Sequence, residues 1–291
     1  MKPLEKIIWQ SDGMIAAHIF EGPVLSPDGS KLYFSDVRDE RICEINTSIL
    51  KNIPSGFQPK CILQDEGQIN GLVFNGDDQL LGCRMFKPTG IVWIDTTGVS
   101  KPKPVVESFG KKPLNGPNDL VWDERSQKLF FTDPKMPVNL FNTKERLFSF
   151  DPRTQDLISC DELKRPNGIA LWQDQTNKTN WLFVAESDTD KILRYEIEAN
   201  GTLKRPVDFS VNLDSPVDGI ALRPSGELFV ASGKRIRRFS LDGRELPFKS
   251  DFFWSRYRVQ PSNLLFLNVD EMIVTAYNLY RGTSKLFLVE I

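Results

Sequence analysis

Residues 218–243 read DGIALRPSGELFVASGKRIRRFSLDG, three short apolar runs of strand length separated by turn signals such as Pro-Ser-Gly and Asp-Gly. A fourth run closes the unit, and the same plan recurs along the chain. In the first copy the runs are GPVLS, KLYFSD, RICEIN and PKCILQ, with Pro27, Asp28 and Gly29 forming a tight hairpin between the first two. At one phase of each copy, directly before the first run, stands a carboxylate or carboxamide: Glu21, Asn70, Asn118, Asn167, Asp218 and Asn263, at intervals of 49, 48, 49, 51 and 45 residues. Nothing reads as a long amphipathic helix. A repeat of roughly 40 to 50 residues carrying four strands is the signature of a propeller blade, whose sheet is too small to bury its faces alone. Six copies predict an all-β, six-bladed β-propeller with four-stranded blades, one domain over residues 1–291.

Closure gives an independent expectation. The sixth unit offers NLLFLN, EMIVTA and KLFLVEI and then ends at Ile291 without a fourth strand. Residues 4–10, LEKIIWQ, have the length and apolar character to supply it, so an N-terminal strand is predicted to close the last blade.

Composition fits a globular body, with 40% hydrophobic and 26% charged residues. A net charge of −2 with interspersed signs provides no field for nucleic acid or anionic lipid, so neither is expected as a partner. MKPLEKIIWQSDG at the N-terminus has no apolar signal core, and no run approaches the ~18 apolar residues of a membrane span. The expectation is a cytoplasmic protein acting on a small molecule.

Cys43, Cys61, Cys83 and Cys160 show no C-x-x-C spacing, and each falls in or beside a predicted strand, where a thiol packs as a small hydrophobe. They are expected to be reduced. Cys43 and Cys61 occupy neighbouring runs of the first blade, which leaves a disulfide open if the protein is exported. His18 is the single histidine, so any chemistry needing two is excluded. Its place three residues before Glu21 allows a supporting role at the site or an ordinary loop position.

Asn-Gly and Asp-Gly are also turn signals, and Asn200-Gly201, Asp12-Gly13 and Asp242-Gly243 are read as turns. The six phased residues differ in preceding an apolar strand after a long connection. The first strand of a blade is innermost, so their side chains should converge at one mouth of the central channel. The second strand runs antiparallel and ends at that mouth, which puts Asp36, Arg84, Asp133, Glu186 and Ser232 in a second layer. Segments 134–144 and 277–284 could form a lid, with Phe141 and Tyr280 as its aromatic groups. Phe252, Phe253, Trp254 and Tyr257 could line the pocket or pack between blades five and six.

Glutamate, aspartate and asparagine without cysteine form a hard-oxygen set, which suits one divalent ion, calcium first. Glu21 and Asp218 are the two anions of the ring and would balance its charge.

The segments EGPVLSPDGSKLYFSD (21–36), NGPNDLVWDERSQKLFFTDP (115–134), RPNGIALW (165–172) and SPVDGIALRPSGELFVASG (215–233) resemble the senescence-marker-protein, gluconolactonase and luciferin-regenerating-enzyme family, and the likeness spans essentially the whole chain. The resemblance implies a six-bladed propeller with a divalent metal in its channel and a lactone-hydrolysing activity. Carried over by motif, the metal ligands are Glu21, Asn167 and Asp218, with Asn118 contacting substrate or supplying a further metal oxygen. Asn70 and Asp133 complete the expected substrate contacts. Asp133, in FTDP, is also open to a second-ion or a structural role. Animal members carry an arginine two residues before the position of Asn118, where this chain has Gly116; Lys111 and Lys112 lie nearby.

The expected reaction is attack of water on a lactone carbonyl polarised by the ion, with Asp218 as proton acceptor, Glu21 as the alternative, and Asn118 orienting the substrate. Phosphotriester hydrolysis on the same site is the second reading. A non-catalytic propeller, pinned by calcium and binding a partner, is the third.

Overall fold

The computed structural model describes residues 4–11, 18–64, 67–86, 88–135, 144–173, 179–210 and 213–291. β1 (Leu4–Gln10) lies apart from its neighbours in sequence. Blade one is β2 (Phe20–Leu25), β3 (Lys31–Asp36), β4 (Arg41–Asn46) and β5 (Lys60–Gln64); blade two is β6 (Ile69–Phe74), β7 (Leu80–Arg84), β8 (Gly90–Ile94) and β9 (Lys103–Val106). A small hairpin follows, β10 (Ser108–Phe109) with β11 (Lys112–Pro113). Blade three is β12 (Leu120–Asp123), β13 (Lys128–Asp133), β14 (Glu145–Asp151) and β15 (Asp156–Leu163). Blade four is β16 (Pro166–Gln173), β17 (Asn180–Glu186), β18 (Lys191–Ile197) and β19 (Val207–Ser210). Blade five is β20 (Val217–Leu222), β21 (Leu228–Ser232), β22 (Arg235–Phe239) and β23 (Glu245–Leu246); blade six is β24 (Gln260–Phe266), β25 (Glu271–Asn278) and β26 (Thr283–Glu290), completed by β1.

The N-terminal strand therefore closes the ring, pairing antiparallel with β26 from Leu4↔Glu290 to Gln10↔Lys285. The protein is a six-bladed β-propeller.

Side chains alternate across each strand, and here both faces of every blade meet a neighbouring blade. In β13, Leu129 and Phe131 pack toward blade two while Phe130 packs toward blade four. In β3, Leu32 and Phe34 face blade six and Tyr33 faces blade two. Six apolar clusters result, one in each gap between blades. The aromatic run before β24 joins this packing. α1 (Phe252–Ser255) buries Phe253 against Phe229 and Ile236 of blade five and Phe287 of blade six, so these aromatics are inter-blade core rather than pocket wall.

Hydroxyls on second strands tie the innermost backbones together across the gaps. Ser35 Oγ donates to the Asn70 carbonyl (2.8 Å), and Thr132 Oγ1 to the Asn167 carbonyl (2.8 Å). From the innermost strand of blade six, Ser262 Oγ closes the circle onto the Phe20 carbonyl (3.1 Å).

Candidate functional site

Five of the six innermost strands place the phased residue at an irregularity. The pairing register slips between Glu21 and Val24, Ile69 and Leu72, Pro166 and Ile169, Val217 and Ile220, and Pro261 and Asn263. Bulges of this kind re-aim side chains, here toward the channel axis. Glu21 and Asn70 are buried there, whereas Asn118, Asn167 and Asp218, on three consecutive blades, are half-buried and form the accessible side.

One member is out of phase. A Cβ on Gly71 would meet the Asn118 carbonyl and Asp119, and a Cβ on Gly219 would meet the Ser262 carbonyl and Asn263. Asp119 N–H donates to Thr132 Oγ1 (3.1 Å), as Asn263 N–H does to Thr275 Oγ1 (2.9 Å). Asn263 is thus the counterpart of Asp119, and Ser262 holds the ring position in blade six. The shift arises because Ser and Asn are adjacent there and spacing alone cannot separate them.

The ring therefore has two tiers. Below Glu21, Asn70, Asn118, Asn167, Asp218 and Ser262 lies a second tier in which four positions are glycine and two are polar, Asp119 and Asn263. Glycine is required at 71, where a Cβ would lie 2.4 Å from Asp119 Oδ1, and at 219, where it would lie 2.7 Å from Asn263 Cγ. Blades three and six are opposite one another, and the Asn263 side chain lies close enough to both Asp119 and Glu21 to favour their ionised forms. Asp119 and Asn263 form the floor of the mouth. Beneath them a cavity of about 350 Å³ runs between the inner strands, lined by apolar groups such as Val24, Leu120, Ile169 and Ile220.

Three carboxylates around this floor, Glu21, Asp119 and Asp218, act on one another electrostatically. Burial pushes Glu21 well above the ordinary glutamate range, and the charges of Asp218 and Asp119 add to the shift. Burial raises Asp119 to about 7 against hydrogen bonds from the Leu120 and Ile169 amides. Asp218 is raised to about 7 by burial, against a hydrogen bond from Asn167 and the positive charge of Arg165. Among the described residues, none of the three forms an ion pair. Tyr277, at the end of β25, overlooks the group; burial and the charges of Asp218 and Glu21 keep its phenol protonated.

Neither Asp119 nor Tyr277 stands out in the sequence. An aligned repeat marks Asp119, because it breaks a column of glycines. Tyr277 pairs with Gln260 near the mouth, one residue beyond the place in blade six that Asp36 holds in blade one.

The second layer is built mainly to hold loops. Asp133 is fully buried, accepts from the Asn115 (3.0 Å) and Gly116 (2.9 Å) amides, and is raised by burial to about 6. Glu186 accepts from the Lys164 amide (2.8 Å), and Glu145 from the Arg165 amide (2.7 Å). Asn70 points its amide at Met85 Sδ (3.5 Å). Ser232 Oγ donates to the Ser215 carbonyl (3.2 Å), and Arg84 reaches Glu107 (3.1 Å).

His18, Asp36 and Asp39 form a cluster whose ligand atoms lie within 4.8 Å of one another. Arg41 already occupies it, 2.7 Å from both aspartates, and His18 Nδ1 is 2.8 Å from Asp36. Its charges are offset by protein groups, so this is an ion cluster that anchors the entry to β2. Phe141 lies outside the described residues. Tyr280 is 99% exposed, and β25 and β26 leave a turn of only 279–282, too short to cover the mouth. Among the described residues no helix is long and apolar enough to cross a membrane.

Residues 19–249 match the family described as SMP-30/Gluconolactonase/LRE-like region. No curated protein matches the chain in sequence. Among solved structures, a gluconolactonase from Xanthomonas campestris superposes with a TM-score of 0.75 at 21% identity, covering 97% of this chain and 89% of that one. A luciferin-regenerating enzyme gives 0.73 at 15% identity, over 99% and 95% of the two chains. A calcium-binding protein, regucalcin, from Agrobacterium tumefaciens gives 0.73 at 14% identity, again over 99% and 95%. At these identities the likeness shows the shared fold.

Proposed function

The chain belongs to the SMP-30/gluconolactonase/LRE-like family, and we propose that it hydrolyses a sugar lactone at a single divalent cation, calcium, held in the mouth of the channel. The observation that carries this reading is the set of Glu21 and Asp119, buried, and Asp218, half-buried, whose charges act on one another without an ion pair among the described residues. Like charges brought together in a dry site are costly unless they are protonated or a cation joins them. The donor set is all oxygen, which fits calcium. Glu21, Asn167 and Asp218 would hold the ion, with Asn118 as a further oxygen. When bound, it compensates this charge and polarises the lactone carbonyl.

The chain's own residues supply the rest. Asp218 takes the proton of the attacking water at a carboxylate oxygen, and the Asn167 hydrogen bond fixes how that carboxylate is turned. Glu21, the deeper of the two, is the less accessible base. Asn118 orients the substrate from the accessible side, and Asn70 supplies a polar wall beside it. Asp133 acts indirectly: by holding the Asn115 and Gly116 amides it shapes the strap that leads to Asn118. Arg165 stands two residues before Asn167 with its side chain 61% exposed, and its charge acts on both Asp218 and Tyr277. It provides a positive group at the mouth for an anionic part of the substrate, where blade three carries Gly116.

The test is to strip the purified protein with chelator, restore calcium, and follow acid release from aldonolactones beside hydrolysis of phosphotriesters. Lactone turnover that disappears with chelator and returns with calcium is expected. Turnover indifferent to chelator, cleavage of phosphotriesters alone, or a calcium-dependent melting temperature without any turnover would each overturn the proposal.

A further inference from the structure

On the two outer strands of blade one, β4 and β5 bring two thiols together. Cys43 and Cys61 are direct cross-strand partners in an antiparallel ladder, immediately after a register slip at Ile42. Directly opposed residues project to the same face, with Cα atoms about 4.5–5.5 Å apart, inside the range a disulfide spans. Their surroundings differ. Cys43 is fully buried in the cluster between blades one and six, and Cys61 is exposed on the outer strand.

Arg41 completes the arrangement. Its guanidinium acts on Cys61, and its Nε is buried with no hydrogen-bond acceptor among the described residues. A thiolate at Cys61 would give that donor an anion. The adjoining Cys43 thiol, assisted by the Arg41 charge, pulls the Cys61 thiol down to about 7, although burial and the charges of Asp36 and Asp39 oppose it. Cys43, beside Cys61 and buried, is held protonated. An exposed, activated thiol beside a buried one is the arrangement of an attacking and a resolving cysteine.

We propose that Cys43 and Cys61 form a redox-active dithiol that is oxidised by peroxide to an intramolecular disulfide at the seam between the first and last blades. The Cys61 thiolate attacks one peroxide oxygen; the O–O bond breaks, hydroxide leaves and is protonated to water, and Cys61 becomes a sulfenic acid. The Cys43 sulfur then attacks the Cys61 sulfur, the S–O bond breaks, and the Cys43 proton leaves with the hydroxyl as a second water. Two thiols lose two electrons and two protons to one peroxide.

The experiment treats the whole protein with hydrogen peroxide, counts free thiols after unfolding, and maps cross-linked peptides by mass spectrometry. The expected result is loss of two thiols, a Cys43–Cys61 peptide pair lighter by two hydrogens, full reversal by dithiothreitol, and a melting temperature raised by about 5 °C. In Cys61→Ser, whose altered side chain is at the surface, the oxidation should vanish. In Cys43→Ala, Cys61 should stop at a sulfenic acid that dimedone traps; should this core variant not fold, the Cys61→Ser comparison still decides. Four thiols surviving in the oxidised wild type, or Cys61 ending as sulfinic acid or as a dimer between chains, would falsify the proposal.

Discussion

Two acidic clusters lie near the same mouth of the propeller and are treated in opposite ways. At the rim, Asp36 and Asp39 receive Arg41 and His18 at 2.7 to 3.5 Å. At the axis, Glu21, Asp119 and Asp218 receive amides and one another, and their proton affinities rise instead. Charge that serves the fold is neutralised by the fold. The axial carboxylates are held in place but are not neutralised by the protein, and this separates them from a structural ion cluster.

The contrast is broken most directly by substituting one member of each cluster. Asp218→Ala should abolish calcium binding and lower lactone turnover by roughly 10³-fold or more, with little loss of stability. Asp36→Asn should leave turnover within a few-fold of wild type but destabilise by about 3 kcal/mol, because Arg41 and His18 lose the buried carboxylate between them. Calcium titration followed by calorimetry, with denaturant unfolding of both variants, gives the comparison. If Asp36→Asn silences the enzyme while Asp218→Ala spares it, the two roles have been exchanged.

Proton affinity sharpens the same contrast. Asp119 and Asp218 bind protons up to about pH 7 in the folded chain but only to ordinary carboxylate values when unfolded. Without calcium, their contribution to stability is therefore present below the ordinary carboxylate range and is lost as pH rises toward about 7. The total is on the order of several kcal/mol. Calcium held by Asp218 must displace its proton, and the ion's charge disfavours the proton on nearby Asp119, so its stabilising effect should be larger at pH 8 than at pH 5. Melting curves with chelator and with calcium across that range are the measurement, and an unchanged calcium effect would show that these carboxylates do not meet the ion.

The fold was legible because it repeats. Every blade carries the same alternation, and the one apolar run left outside the six repeats, residues 4–10, had one place to go. The upper tier was legible for five blades. It failed at the sixth because Asn263 and Ser262 are both polar, and only the bulge shows which one holds the phase. Asp119 was hidden by its neighbour Asn118, the more conspicuous residue at the ring phase. Asp133 pointed to the site by its motif, yet its oxygens are occupied by two backbone amides. Tyr277 and Arg165 come close to the site only through folding, one from the second strand of blade six and one from the loop entering blade four.

Arg165 supports the smallest and most specific prediction. It sits in the left-handed region (φ 51), with its amide held by Glu145 and its carbonyl accepting from the Ser187 amide (3.0 Å). Two neighbouring elements thus fix a backbone conformation that an ordinary side chain avoids, and they present the guanidinium at the mouth. Asp188 lies 3.6 Å away, but both side chains are more than half exposed, so that pair is weak and an incoming anion can compete for the arginine. Arg165→Ala should raise KM for a lactone bearing a carboxylate by roughly tenfold and leave kcat nearly unchanged, the pattern for a group that binds substrate and transition state alike. The neutral parent lactone should show little change in either parameter. Equal losses for both substrates would mean that Arg165 acts through Asp218 and not on the substrate, and the difference between a paired rim and an open centre would then extend to this arginine as well.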